Sequence, residues 1–339
     1  MIRHHGTWLP LIFTLTLAAC DGRTMTEPVT EAPIASPIAN SPPLAMRAFH
    51  AGSGPGGVDA GLRVWLRASA GITAADGGPV VSWPDQSGNG NHATWSANAF
   101  GELPPVFDAS NPGVRGQPTV RFNAQHALAL DLTWLAGSDY TIIVANGRDR
   151  TGFANFYIAG SVAGINSNLV LGYERTDLLR QAHFGNDLDA VVENYVGTQI
   201  WSLDTYRFAQ TRGRDLYHNG AHVATDDNAT ALLANQGSTL GHFRAIPIYW
   251  FQGDLAEVIV YDRALSDSER FDVEVDLAGR HGYAIDVDDY VPCNASWGTH
   301  GAYVAAHAHA VNRLVAAGVL SPGAAGSAKA RAAASTCGT

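Results

Sequence analysis

The feature that most constrains the fold is a succession of short β-prone runs, each ended by turn residues. "PTVRF", "YTIIVAN", "NFYIAG", "NLVLGYE", "AVVENYV", "IWSLDTYRFAQ" and "DLAEVIVYD" follow one another between about Val58 and Tyr283. Many short strands with no helices between them predict an all-β antiparallel sandwich or jelly roll. The clearest local signal is "LYHNGAHVAT", where Asn219-Gly220 separates two β runs and is the preferred pair for a two-residue hairpin turn. Composition agrees, since 36 of 339 residues are Gly and only 15% are charged. One helix closes this region. In "ALSDSERFDVEVDLAGRHG", Ser266 is placed as N-cap, Glu269 at the third helical position completes a capping box, and Gly282 is placed to end it.

The N-terminus is of another kind. In "MIRHHGTWLPLIFTLTLAAC" a short basic start precedes an apolar run, Trp8 to Ala19, too short to span a bilayer as a mature helix. Residues 1–19 therefore read as a secretory signal. The junction Leu17-Ala18-Ala19-Cys20 resembles the bacterial lipobox. That resemblance implies cleavage before Cys20, a lipid on its thiol, and a protein held at the cell envelope. Asp21 is similar to an inner-membrane retention signal of enteric bacteria, and the leaflet stays open. Residues 20–57 are rich in Pro, Thr, Ser and Ala without apolar period, the composition of a tether.

With Cys20 lipidated, Cys293 and Cys337 are left as a pair in an oxidising compartment. A disulfide between them would contribute about 3–4 kcal/mol. They flank a stretch, residues 286–339, that reads as two helices. Val304, Ala308, Val311, Leu314 and Val315 share a helical stripe. "GVLSPG" then breaks the chain, with Ser321 as cap and Pro322 opening a second helix. The expectation is a small, disulfide-stapled helical hairpin. The net charge of −10 and the lack of any Lys/Arg-rich run argue against nucleic acid as a partner.

"VWLRASAGIT … VSWPDQSGNGNHAT" and "FQGDLAEVIVYDRALSDSERFDVEVDLAGRHGY" resemble the start and finish of bacterial laminin-G-like, concanavalin-A-like jelly-roll domains. "LYHNGAHVAT" followed by "STLGHF" is similar to that fold's late hairpin and next strand. The resemblance covers residues 58–285. It implies two curved antiparallel sheets whose concave face or rim loops commonly take glycans. Arg67 departs from it, standing where many relatives carry Asp.

Four groups of residues bear on chemistry. In "DQSGNGN", Asp85, Ser87, Asn89 and Asn91 alternate with a Gly at the sixth position, like the first half of a Ca²⁺ loop. The twelfth position is Ser96 rather than Glu, and an Asx turn accounts for the pattern. A Ca²⁺ held by Asp85 and Asn89 is the alternative. Asp187, Asp189 and Glu193 partly resemble the acid triplet of laminarinase-type glucanases, but Glu193 lies too far along for retaining geometry, so a solvated cluster is the simpler reading. His300, His307 and His309 form no metal motif. Among the Trp residues, Trp65 and Trp83 read as core. Trp95, Trp134, Trp201, Tyr249 and Trp250 fall near loops or strand ends, where an aromatic face can stack on a sugar ring.

The expectation is an exported, lipid-anchored, non-catalytic binding protein with no required cofactor, recognising a glycan or cell-surface polymer. A protein-binding adhesion or scaffold lipoprotein and a divergent carbohydrate hydrolase are the alternatives. The oligomeric state stays open.

Overall fold

The computed structural model describes residues 52–149, 154–192 and 199–338. The stretch expected to be a signal, Cys20, the expected linker as far as residue 51, and Glu193 lie outside the described residues. In chain order the strands are β1 (Leu62–Arg67), β2 (Ser82–Trp83), β3 (Ala93–Thr94), β4 (Val106–Asn111), β5 (Gln117–Phe122) and β6 (Leu128–Ala129). Then come β7 (Tyr140–Asp149), β8 (Asn155–Ala159), β9 (Leu169–Arg175), β10 (Leu178–His183) and β11 (Asp187–Val191). The last are β12 (Gln199–Ala209), β13 (Gly213–His218), β14 (Ala221–Asp226), β15 (Thr239–Leu240) and β16 (Gly253–Tyr261). The α-helices follow: α1 (Asp267–His281), α2 (Val287–Tyr290), α3 (His300–Ala316) and α4 (Pro322–Ala334).

The strands form two antiparallel sheets of eight, the jelly-roll sandwich that the short runs predict. The first, sheet A, runs β14-β13-β12-β7-β16-β5-β4, with β1 pairing the remaining length of β16. The second, sheet B, runs β11-β10-β9-β8-β15-β6-β3-β2. Apolar residues at alternate positions meet between them: Ile142 and Val144 of β7, Val258 and Val260 of β16, Leu169 and Leu171 of β9, with Trp83 fully buried.

Sheet A is also covered on its other face. Ile143, Ala145, Leu203, Ile259 and Tyr261 point away from the sandwich into a second core, shared with Phe271, Leu277, Tyr290, Tyr303, Val311 and Leu314 of the helices. This double burial explains why β7 and β16 read as nearly continuous apolar runs rather than alternating ones. The architecture is thus three layers, sheet B, sheet A and helices. The helical hairpin docks on the jelly roll through a continuous core.

Local signals account for the ends of these elements. The Ser266 hydroxyl accepts from the Glu269 N–H, and the Glu269 carboxylate accepts from the Ser266 N–H, closing the capping box of α1. Gly282 ends it in the left-handed conformation with φ 84°. Ser321 caps α4 and Pro322 opens it. Asn219 and Gly220 turn the β13–β14 hairpin with φ of 51° and 89°. Gly220 is constrained twice, because a Cβ there would sit 2.3 Å from the Tyr290 hydroxyl. Cys293 and Cys337 form the disulfide.

Two expectations are corrected. The buried stripe of α3 is Tyr303, Ala306, His307, Ala310, Val311 and Leu314, about one position round from the predicted one, because Tyr303 is the large residue that reaches the core. Trp65 is only partly buried and faces the helical layer, where its indole donates to Glu257 Oε2 at 2.8 Å. Glu257 also accepts from Arg280 and pairs with His281 Nε2 at 2.8 Å. Burial alone would raise this carboxyl, but these donors bring it down to about 2.

Candidate functional site

The loop "DQSGNGN" is organised around Asp85, which is 8% exposed. Its Oδ1 accepts from the Trp65 and Ser87 N–H groups at 2.8 and 2.9 Å. Its Oδ2 accepts from Ser87 Oγ and the Asn91 N–H at 2.7 and 3.0 Å. These four donors fill the lone-pair sites of a carboxylate. The Asn89 and Asn91 side chains donate in turn to the Leu62 and Arg63 carbonyls of β1. The polar side chains therefore close the free edge of β1 in place of a neighbouring strand. Among the described residues no group of three or more His, Cys, Asp or Glu side chains is placed to hold a metal ion.

Most of the aromatic candidates are engaged by the protein itself. The Trp95 indole donates to the Glu102 carbonyl at 2.9 Å. That of Trp134 donates to the Asp131 carbonyl at 3.1 Å, and the Arg63 guanidinium lies over its ring at 5.2 Å. Trp250 stacks on His242 with centroids 3.5 Å apart. His242 Nδ1 in turn pairs with Glu102 at 2.7 Å. Tyr249, the neighbour of Trp250, packs instead against Phe156 and Phe243. The two adjacent aromatics do not form one platform.

The acids are likewise paired. Arg180 of β10 takes Asp189 of β11 in a two-pronged bond with both contacts at 2.8 Å, and it reaches Glu174 at 2.8 Å and Asp187 at 3.3 Å. Burial, with Asp189 close by, pushes the Asp187 carboxyl above its ordinary value despite Arg180. In the helical layer His300 Nδ1 meets the Cys337 carbonyl at 2.8 Å, and His307 Nε2 pairs with Asp288 at 3.1 Å.

Trp201 is different. It stands on β12 on the helix-facing side of sheet A and lines a cavity of about 370 Å³. Gln199, Asn219, Tyr283, Gly113 and Gly282 line it too. Alternation puts Gln199 and Trp201 on one face of the strand. The hairpin turn contributes Asn219, and the chain leaving α1 contributes Gly282 and Tyr283. The indole is fixed by two glycines: a Cβ at Gly147, its cross-strand partner, would come within 2.7 Å of the ring, and one at Gly113 within 2.1 Å of Nε1. Tyr283 is 6% exposed, and its hydroxyl is buried with no hydrogen-bond partner among the described residues.

Behind Gln199 lies a polar cluster on the same face. Gln199 Nε2 donates to Asp254 Oδ2 at 2.6 Å and to the Gly147 carbonyl at 3.1 Å. Arg121 donates to Asp254 at 2.9 Å and spans to Asp149. Thr119 Oγ1 donates to Asp254 Oδ1 at 3.0 Å. Burial raises the Asp254 carboxyl against the pull of Arg121 and Gln199. Sequence reasoning found Trp201 but not Gln199, Tyr283 or Asp254. The i, i+2 spacing of Gln199 and Trp201 was a usable signal, whereas Asp254 and Tyr283 reach the site only through the pairing of distant strands.

No known sequence family matches the chain, and no curated protein matches it in sequence. Among solved structures it is similar to domain 4 of AbnA, a GH43 extracellular arabinanase from Geobacillus stearothermophilus, in complex with arabinotriose. That match has 17% identity and a TM-score of 0.46, over 65% of this chain and 98% of that one. A Trypanosoma rangeli sialidase matches at 17% identity and TM-score 0.42, over 64% of this chain and 33% of that one. The Ruminococcus gnavus IT-sialidase CBM40 bound to α2,6-sialyllactose matches at 20% identity and TM-score 0.34, over 40% and 83%.

Proposed function

We propose that this chain is an exported, lipid-anchored, non-catalytic glycan-binding protein of the cell envelope, with the Trp201 cavity as its binding site. The observation that carries the reading is that cavity. It combines a rigidly held indole, amide side chains from Gln199 and Asn219, and a wall formed by Tyr283. Ligand sites of this kind are concave, walled by aromatics, and carry a few placed polar groups. Its volume, about 370 Å³, is at the small end for such sites and suits one or two sugar rings.

The non-catalytic part of the reading is supported by the acids near the site. Asp254 and Asp149 are tied to Arg121 rather than facing one another across a gap. Asp187 and Asp189 are tied to Arg180. Anchoring through Cys20 rests on the lipobox-like junction. A glycan array probed with the full chain and with Trp201→Ala tests the function. Saturable binding that the substitution abolishes supports it, and binding that survives the substitution removes the cavity from the reading.

A further inference from the structure

We infer that the Trp201 cavity selects uncharged, hydroxyl-rich saccharides and turns away sugars that carry a carboxylate. This rests on the glycan-binding reading above and names the substrate class.

The amide of Gln199 is held in one orientation. Its nitrogen is held by the Asp254 carboxylate at 2.6 Å, with the Asp149 carboxylate at 3.5 Å and the Gly147 carbonyl at 3.1 Å. Three acceptors around one –NH₂ fix which way the amide points. Its carbonyl oxygen is therefore the end left over, an acceptor. A sugar hydroxyl can donate to it, whereas a carboxylate can only accept and finds no complement there.

Charge acts in the same direction. Among the described residues lining the cavity none is ionisable to a cation; the lining is Gly, Gln, Ile, Trp, Asn, Tyr and Ala. Recognition of a carboxylate favours a guanidinium that can offer two parallel N–H donors. Among the described residues no guanidinium is part of the lining. Arg121 is committed to Asp149 and Asp254, whereas Arg115, exposed beside Gly282, spends one N–H on the Gly279 carbonyl at 2.7 Å and stands outside the lining. Asp149 and Asp254 outnumber Arg121, which leaves a net negative cluster directly behind Gln199. An anionic ligand would meet that field at short range.

The remaining polar groups suit a neutral polyol. Asn219 Oδ1 accepts from the Leu203 N–H at 2.9 Å, which fixes its amide with the nitrogen as the donor end. That nitrogen meets His218 Nε2 at 3.3 Å, and its second N–H is left for a ligand. Trp201 supplies an indole N–H, and Tyr283, whose hydroxyl is buried, contributes wall rather than a polar contact. The site thus offers at least one fixed acceptor together with donors, the mixture that vicinal hydroxyls satisfy.

The test is calorimetric titration of the full chain with arabinotriose, xylotriose, cellotriose and lactose as neutral probes. α2,6-Sialyllactose and a galacturonic acid trimer serve as acidic ones. Each is repeated with Trp201→Ala and Gln199→Leu. The expected result is binding of at least one neutral probe, with no measurable binding of either acidic one. Gln199→Leu should weaken the neutral probe by about tenfold, the loss of a hydrogen bond to a buried partner. Gln199 is half-buried, so this variant is expected to keep the native circular dichroism. Acidic probes that bind as tightly as neutral ones, in a manner that Trp201→Ala abolishes, would overturn the selectivity and leave the glycan-binding reading standing. Binding of neither class overturns both, whereas binding indifferent to Trp201→Ala removes the cavity as the site, and the selectivity with it, and leaves glycan binding itself standing. A Gln199→Leu variant with unchanged affinity rules out the fixed acceptor.

Discussion

Trp201 lies flat enough on Gly147 that a single added methyl would come within 2.7 Å of three atoms of the indole ring. The two residues face each other across the β7–β12 pair, so neither backbone can move aside without breaking the centre of sheet A. Gly147→Ala should therefore displace the indole rather than the strand. The expected cost is about 1–3 kcal/mol of stability, typical of overpacking. The cavity changes shape at the same time, so any ligand that depends on Trp201 should be lost. Thermal melts and binding isotherms of the variant check both effects together.

A second relationship lies between the sheets. Asp204 is fully buried and pairs with His218 Nδ1 at 2.7 Å. It also accepts from Asn146 at 2.8 Å, Tyr173 at 2.8 Å and Tyr157 at 3.1 Å. Burial alone would raise this carboxyl; the His218 hydrogen bond, with Arg148 and Tyr173, holds it below its ordinary value. Removing one partner of such a pair leaves the others unpaired in a dry core. Asp204→Ala should cost about 3–5 kcal/mol. A double-mutant cycle with His218→Ala measures the coupling, and strict additivity of the two losses would count against a shared network.

The four donors on Asp85 lead to a prediction about metal. A carboxylate already satisfied by N–H and O–H groups gains nothing from a dication unless those bonds break first. The melting temperature should be the same in EDTA and in Ca²⁺. Asp85→Ala should lower stability by about 1–3 kcal/mol, since several donors lose a partner at once. A clear upward shift of the melt with Ca²⁺ would return Asp85 and Asn89 to the role of ligands.

Much of this fold was legible because its signals are local. The Asn219-Gly220 turn, the Ser266–Glu269 capping box and the Ser321-Pro322 helix start each need only a few adjacent residues, and each formed where predicted. What the sequence hid is what depends on the third layer. Ile143 and Tyr261 read as ordinary strand residues, yet they form the floor on which the helices sit. The site was legible only at Trp201, because a lone aromatic at a strand start is visible in one dimension. Whether an indole is free or engaged is decided elsewhere, by Asp131 for Trp134, by the Glu102 carbonyl for Trp95, and by His242 for Trp250. Those partners lie close in the chain in some cases, but their geometry is set by the sheets.

The disulfide ties the end of α4 to the segment after α2, closing a sequence separation of 44. On the chain-entropy account a loop of this length is worth about 4 kcal/mol. Because α3 and α4 share a core with sheet A, reduction should loosen the helical layer without dissolving the sandwich. Hydrogen exchange with and without reductant checks this. Faster exchange confined to α3 and α4 is the expected pattern, and uniform loss of protection through β7 and β16 would mean that the layers unfold as one unit.

Acid acts on this fold through a buried histidine. His183 is fully buried on β10, with Nδ1 facing the Thr230 carbonyl at 2.9 Å and Nε2 facing the Tyr140 hydroxyl at 3.0 Å. The first contact makes Nδ1 the donor, which leaves Nε2 to accept from Tyr140. Burial disfavours the imidazolium, and nearby Arg214 adds to this while the Thr230 carbonyl and Asp226 oppose it, so the pKa falls from 6.5 to about 4. The unfolded chain therefore takes up a proton near pH 6.5 that the folded chain refuses until about pH 4. The stability that depends on neutral His183 is complete above the higher value and is lost as the pH falls through the window. The loss over that window is about 3 kcal/mol. His183→Gln keeps a donor for Thr230 and removes the titration. Its stability should be flatter between pH 6.5 and 4 than that of the parent chain, by urea melts at each pH. An unchanged slope in the variant would assign the acid sensitivity to other groups, of which Glu257, brought from 4.5 to about 2, is placed to act only at lower pH.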